Sequence, residues 1–547
     1  MNAKEYVLSG NVVDVVQQRV FKGVVTIRDG CIASIEERDV ATDAYILPGL
    51  VNAHVHIESS MLTPGEFAKM AVPHGTVATV SDPHEIANIC GLDGIEYMIR
   101  DAEKVPLKFH FGAPSCVPAT GFERAGSDIS AREVESLLAR KEILYLSEMM
   151  NFPGVIFKDK EVHLKLEAAK KIGKPIDGHA PGLSGDELKL YVEAGISTDH
   201  ECTTIEEATD KILLGMKIQI REGSAAKNFE KLHPLIESFP DAVMLCTDDT
   251  HPDDLEKGHV NHILRDGVKK GLNIFKLLRA ATLNPIEHYG LNVGLLQEGD
   301  PADLIIVDNL EEFNVLSTLI DGHLVYDGSS PTFVYTAEEG INNFNCKAVK
   351  EKDIVVGVKE GDFIRVIEAI DGELITNELH VPAKVKDGEA VSDPDNDVLK
   401  IVVINRYEQA QPTVGFIKNF GLKSGAIAGS IAHDSHNIIA VGTSDEDIVN
   451  VVNEIIRKKG GIGISEEGSL KILPLPVGGI MSNLEGTEVS KRYKELNNKV
   501  VEMGSKLKAP FMTLSFMALL VIPSLKIGDR GLFNGELFEF TDLIVKK

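Results

Sequence analysis

The sequence has no long basic run, no Cys-x-x-Cys pair, no basic-then-apolar leader and no apolar stretch of membrane length. Each absence excludes something. Lys and Arg number 56 against 83 Asp and Glu, a net charge of −27. So acidic a chain is a poor partner for nucleic acid or an anionic membrane, and its charge favours solubility and neutral or cationic ligands. The cysteines, Cys31, Cys90, Cys116, Cys202, Cys246 and Cys346, are scattered, as suits reduced, mostly buried thiols in a cytoplasmic protein. Met1-Asn2-Ala3-Lys4-Glu5 does not read as a secretion signal. The longest apolar run, Phe511 to Ile522, lies between Pro510 and Pro523. It is too short to span a bilayer, so it reads as core or as an interface of a homo-oligomer. No sequence repeat of 20–50 residues is visible either.

What is present is ample core: 547 residues, 43% of them hydrophobic, enough for two or three domains. Val24 to Ile35 reads as two strands joined at Asp29-Gly30, a hairpin signal. A matching stretch follows much later, at Gly299 to Asp308 and Leu319 to Tyr326. Residues 1–47 and 287–345 are therefore expected to build one small β-sandwich from both flanks of a central domain. Across 48–286, short apolar runs alternate with helix-like segments such as Ala131 to Arg140 and Glu161 to Lys171. The runs end near His54-Val55-His56, Ser81-Asp82, Ala113-Pro114, Ser147-Glu148, Asp177-Gly178-His179, Asp199-His200-Glu201, Arg221-Glu222 and Thr247-Asp248. Eight such units match the size of a (β/α)8 barrel of TIM type, whose active sites form at the C-terminal ends of the strands. Residues 350–547 change composition to Val/Ile runs with Gly and predict a separate α+β domain. In it, Asp447 to Lys458 carries a clean helical stripe.

The strand ends carry the chemistry. His54 and His56 stand two apart, so on an extended chain both imidazoles face one side. With Glu148, His179, His200 and Asp248 from other strands they give four imidazoles and two carboxylates, more than one tetrahedral ion needs. The set suits two divalent ions bridged by Glu148. Each residue alone has a plainer reading: His179 as a turn residue, Glu148 as a solvated strand end, Asp248-Asp249-Thr250 as a helix N-cap.

Pro48-Gly49-Leu50-Val51-Asn52-Ala53-His54-Val55-His56 resembles the opening signature of the amidohydrolase superfamily, and the Gly299-Asp300-Pro301-Ala302-Asp303-Leu304-Ile305 segment is also typical of it. Longer strings resemble the bacterial and archaeal adenine deaminase family: His54 to Ser60, Asp82 to Asn88, Ser147 to Val155, Cys246 to Asp249 and Ala432 to Asn437. The resemblance covers essentially the whole chain. It implies hydrolytic deamination of adenine to hypoxanthine and ammonia, with a metal-bridged hydroxide attacking purine C6, and a place in purine salvage. It also implies that Asp248 is both metal ligand and proton shuttle, and that Mn or Fe(II) is favoured, with Zn acceptable. Many binuclear members of the superfamily bridge their ions with a carboxylated Lys; here Glu148 takes that position, which argues against a dihydropyrimidinase- or dihydroorotase-like hydrolase. An inactive barrel serving as a binding module is disfavoured by the intact ligand set. The His-x-Glu and Pro-Cys-x-x-Cys signature of the zinc nucleobase deaminases is absent.

Some candidates stay open. Glu58, two residues beyond His56 on a continuing strand, reads equally as a proton donor to purine N1 or as a carboxylate that orients a ligand. His84 and Glu85 suit substrate contact, a further metal or a structural role. Asp249 falls with these. His433 and His436, in His433-Asp434-Ser435-His436-Asn437, suit a lid, a secondary metal site or a polar turn.

Overall fold

The computed structural model describes residues 5–224 and 226–545. Eight parallel strands form the centre: β1 (Leu50–His56), β2 (Thr76–Ser81), β3 (Lys108–Ala113), β4 (Ile143–Met149), β5 (Ile176–Gly178), β6 (Thr198–Asp199), β7 (Lys217–Arg221) and β8 (Val243–Cys246). β1 to β5 pair in order, and β6 to β8 pair in order. The ring closes at two places. Ser197 N–H donates to Ile176 O at 2.9 Å between β5 and β6. Beyond β8, Asp248 and Asp249 pair in parallel with Val55 and His56 of β1. All eight run endings expected from the sequence fall at the C-terminal ends of these strands. β1, β2 and β8 are buried along their whole length, because a barrel strand is covered by side chains on both faces.

The helices outside the strands begin where the sequence supplies caps. Ser130 and Glu133 form a capping box ahead of Ala131–Leu138, and Asp159 caps Lys160–Ile172, which ends on Gly173 in the left-handed region.

The two flanks meet in one seven-stranded sheet. Tyr45–Pro48 lies at its middle, parallel to Glu5–Asp14 and antiparallel to Leu304–Val307. Alternation divides its residues between two cores. Val12, Ile46 and Leu304 join Val25, Ile27 and Leu319 in a core of the sheet's own, so the sheet folds over on itself. Their neighbours Val13, Leu47 and Ile305 pack with β7 and β8 instead. Period-2 patterning thereby packs the flanking unit on the barrel, and Lys108 of β3 adds ion pairs to Asp303 and Asp321 at 2.7 Å each.

The C-terminal part is built on an eight-stranded sheet of Phe363–Ala369, Thr376–Pro382, Val398–Ile404, Thr413–Lys418, Ala426–Gly429, Ile438–Gly442, Gly461–Glu466 and Ser469–Pro474. Asp445–Lys458 covers one face, with Ile448, Val451, Val452 and Ile455 buried against it. This is the expected stripe, capped by Ser444 and flanked by three acidic residues in its first turn. The apolar run near 511–522 is core. Pro510–Phe516 is a short buried helix, and Phe516 and Leu519 lie over the barrel mouth. Among the described residues no helix is long and apolar enough to cross a membrane.

Lys526 holds this covering segment in place. It is fully buried and donates to Phe516 O at 3.1 Å and Leu374 O at 2.6 Å. Burial lowers its pKa to about 7. Between pH 7 and the ordinary lysine value the unfolded chain binds the proton and the folded chain does not, so stability rises with pH across that window. The gain in Tm from pH 7 to pH 9 is expected to be at least about 2 °C smaller in Lys526→Met than in the native chain, the shift that roughly 1 kcal/mol makes in domains of ordinary size. Thermal melts at the two pH values read this directly, and an equal gain in both proteins would show that Lys526 does not titrate there.

Candidate active site

β1 ends at His56, and both His54 and His56 are buried at the barrel mouth with ring centroids 4.8 Å apart. His54 stacks on His200 at 4.1 Å. His56 Nε2 lies 3.2 Å from Asp248 Oδ1 and 3.3 Å from Glu148 Oε1. Glu148 stands in the middle, and its two oxygens face different histidines. Oε1 is 3.3 Å from His56 and 3.4 Å from His84, while Oε2 is 2.8 Å from His179 and 3.2 Å from His200. Asp248 Oδ1 lies 3.6 Å from His54 Nε2, and Oδ2 lies 4.0 Å from His200 Nε2. The six residues read from the strand ends as ligands are therefore brought together in one cluster.

Asp248 is not a helix N-cap. The next helix, Pro252–Leu255, starts after His251, and Asp248 has φ 53°, a left-handed conformation that Asp tolerates better than most residues. The turn follows the parallel pairing to β1 and aims the carboxylate into the mouth.

The donor set fits a cation. His54 Nδ1 and Nε2, His179 Nε2 and His200 Nδ1 are buried without hydrogen-bond partners, an arrangement that costs free energy unless another ligand takes the lone pairs. Burial opposes charge on Glu148, yet His179, His200 and His56 hold its carboxyl well below the usual range. Burial likewise opposes ionisation of Asp248, and Arg221 and His200 overcome it. Burial alone would depress His200, but Asp248 and Glu148 raise it to about 9. The local field is negative enough to collect positive charge at the ring nitrogens. Several triads and one tetrad within this cluster have donor atoms close enough to share an ion: His54, His56 and Asp248; His54, Glu148 and His200; His179, His200 and Glu201; and His56, Asp82, His84 and Glu148.

The chain as a whole matches known proteins at this point. Residues 45–325 match the Amidohydrolase family, and residues 373–539 match the Adenine deaminase C-terminal domain. A protein from Methanosarcina mazei named adenine deaminase is 55% identical over 98% of both chains. One of the same name from Salinibacter ruber is 50% identical over 98% of this chain and 99% of its own, and one from Borreliella burgdorferi 45% over the same shares. The chain belongs to the adenine deaminases of the amidohydrolase family. That superfamily is metal-dependent, and the strand-end cluster holds the candidate ligand groups.

Other adenine deaminase candidates fall around this cluster. His84 lies close to it, with Nδ1 3.1 Å from Asp82 Oδ2. Asp249 and Glu85 both lie within hydrogen-bond reach of Ser59 Oγ, Glu85 at 2.7 Å, and the single hydroxyl proton serves one of them at a time. Glu58 departs from the expected geometry. The strand does not continue past His56; Ile57–Ser60 is a turn of 3₁₀ helix, so alternation no longer sets where Glu58 points. Its Oε1 accepts from Ile86 N–H at 3.2 Å, and it is absent from the lining of the cavity at the mouth. His433 and Asp434 come from the C-terminal sheet and line that cavity together with Phe516 and Leu519.

Sequence reasoning passed over Asp82, Glu201 and Arg221. Arg221 is buried and reaches both Asp248 and Glu201, the second through Nη2 at 3.0 Å. All three stand at strand ends, and that position was the signal available for finding them.

Proposed function

We propose that this protein is a cytoplasmic, homo-oligomeric enzyme that deaminates adenine hydrolytically, yielding hypoxanthine and ammonia, in purine salvage. The observation that carries the site assignment is the division of Glu148: one oxygen serves His56 and the other serves His179 and His200. A carboxylate so placed suits two divalent cations, with His54, His56 and Asp248 toward one and His179 and His200 toward the other. Nitrogen and oxygen donors of this kind take Mn or Fe(II), with Zn acceptable. When bound, such ions supply Lewis acidity and make hydroxide available at neutral pH.

The chain's own residues do the rest. Asp248, ionised and held by Arg221, takes one proton from the attacking water and delivers it to the departing amine, and the second water proton passes from the C6 oxygen to N1, so adenine and water become hypoxanthine and ammonia. Arg221 and Glu201 fix the carboxylate's direction. Glu58 supports the start of the 84–90 helix through Oε1, which accepts from Ile86 N–H, while its Oε2 is buried without a partner. His84 and Asp249, at the rim, are placed to meet the base. Phe516 and Leu519 close over the mouth and keep bulk water out. A neighbouring cavity of about 280 Å³, sharing Glu201, Arg221 and Leu374 with the site, gives the base a route in. We also divide the chain into three units, 1–47 with 287–345, 48–286 and 350–547, the last supplying the cover.

The covered mouth favours a free base over a nucleoside, whose ribose would collide with it. In a panel of bases, nucleosides and dihydropyrimidines, adenine is expected to be turned over with kcat/KM at least about 100-fold above adenosine, within the range that a missing or clashing contact produces. Comparable turnover of adenosine, or a preference for a dihydropyrimidine, would overturn the reading.

A further inference from the structure

A second group of metal-type donors lies between the barrel and the C-terminal sheet, outside the cluster centred on Glu148. Glu85, at the start of the His84–Cys90 helix, faces His433 and His436 from the loop before Ile438–Gly442. Their donor atoms all lie within 4.8 Å of one another. Glu85 is fully buried, and among the described residues the only basic groups within ion-pair distance of it are these two histidines. A buried carboxylate without a cation is costly.

Both separations are too long for hydrogen bonds, and they resemble those between candidate ligands in the barrel cluster. Glu85 Oε1 lies 3.6 Å from His433 Nδ1, and Oε2 lies 4.0 Å from His436 Nε2, beyond ordinary hydrogen-bond reach. Ligands bound tetrahedrally at about 2.0–2.2 Å from one ion stand roughly 3.3–3.6 Å apart. The barrel cluster shows the same spacing, 3.6 Å for His54 to Asp248 and 4.0 Å for His200 to Asp248. An independent sign is that Glu85 Oε2 and both ring nitrogens of His436 are buried with no partner.

We propose that Glu85, His433 and His436 bind a further divalent cation, of the borderline class that takes mixed imidazole and carboxylate donors, such as Zn(II) or Mn(II). Three protein ligands leave a position open. Glu85 and His433 also line the cavity at the mouth, so that position faces the space above the barrel cluster. The ion ties the C-terminal loop to the barrel at the rim of the site.

The expected total rests on the two-ion reading of the barrel cluster, and the two variants separate the sites because the readout is metal content. The native chain, stripped and titrated with Zn(II), is expected to take up three equivalents per chain. His436→Gln, whose side chain does not line the cavity, is expected to take up one fewer, with the apparent Kd of the lost equivalent raised at least about 100-fold. His54→Gln is expected to lose zinc from the barrel cluster while keeping the equivalent that His436→Gln loses. Circular dichroism on each variant separates lost binding from lost folding. Loss of that same equivalent from a folded His54→Gln would overturn the proposal, because the ion would then belong to the barrel cluster. So would a folded His436→Gln that binds as much zinc as the native chain, the result expected if these polar atoms enclose only water.

Discussion

Asp248→Asn is expected to lower kcat for adenine at least about 10²-fold, the usual loss when a general acid–base group is removed. Asn keeps the shape of Asp and tolerates the left-handed backbone at this position, so the fold has no steric reason to change. Its amide still offers a carbonyl oxygen toward His54 and His56, but it cannot accept and return a proton at neutral pH. With adenine held by the rim and the cover, as proposed above, KM is expected to move little. A fall in kcat with steady KM is the mark of an interaction made in the transition state. The variant also tests the Arg221 contact. With Asp248 neutral, the guanidinium retains Glu201, so thermal stability falls modestly while turnover collapses. Steady-state kinetics and a melting curve on one protein separate these effects, and a near-native kcat would remove Asp248 from the chemistry.

Glu148→Gln is expected to release metal. Glu148 lies within 3.4 Å of four imidazoles, and its negative charge would offset repulsion between cations that otherwise meet at close range. An amide carries no such charge and presents an N–H₂ to one pair of histidines where they need an acceptor. Affinity for at least one ion should fall by more than the roughly 10–100-fold that outer supporting groups cost, with activity lost in step. Elemental analysis after dialysis, with activity on the same sample, decides it. Full metal content and full rate would show that Glu148 bridges nothing.

The barrel was legible because its signals are local. Each strand is a short apolar run that stops at a polar residue, and eight of them recur at barrel spacing. The pairing of His54 with His56 needs only the alternation of one strand. Glu58 shows where that logic ends: alternation predicts its direction only while the chain stays extended, and the chain turns into a 3₁₀ helix immediately after His56. Arg221 was hidden for a different reason. A lone Arg at the end of a strand has no spacing pattern, and its partners Glu201 and Asp248 are 20 and 27 residues away in sequence. The covering of the mouth by His433, Asp434 and Phe516 depends on how the C-terminal sheet docks, which is set by packing across hundreds of residues and leaves no periodic trace.

That covering sets an order of events during synthesis. Every candidate ligand of the barrel cluster, from His54 to Asp248, leaves the ribosome before His433 or Phe516 exists, and domains fold as units with the N-terminal one first. A barrel that folds before the rest would meet cations through an open mouth, and the last part of the chain would then close it. Under the two-ion reading, the ions taken up would be those available in that interval. An ion once enclosed exchanges only as fast as the C-terminal part lifts away.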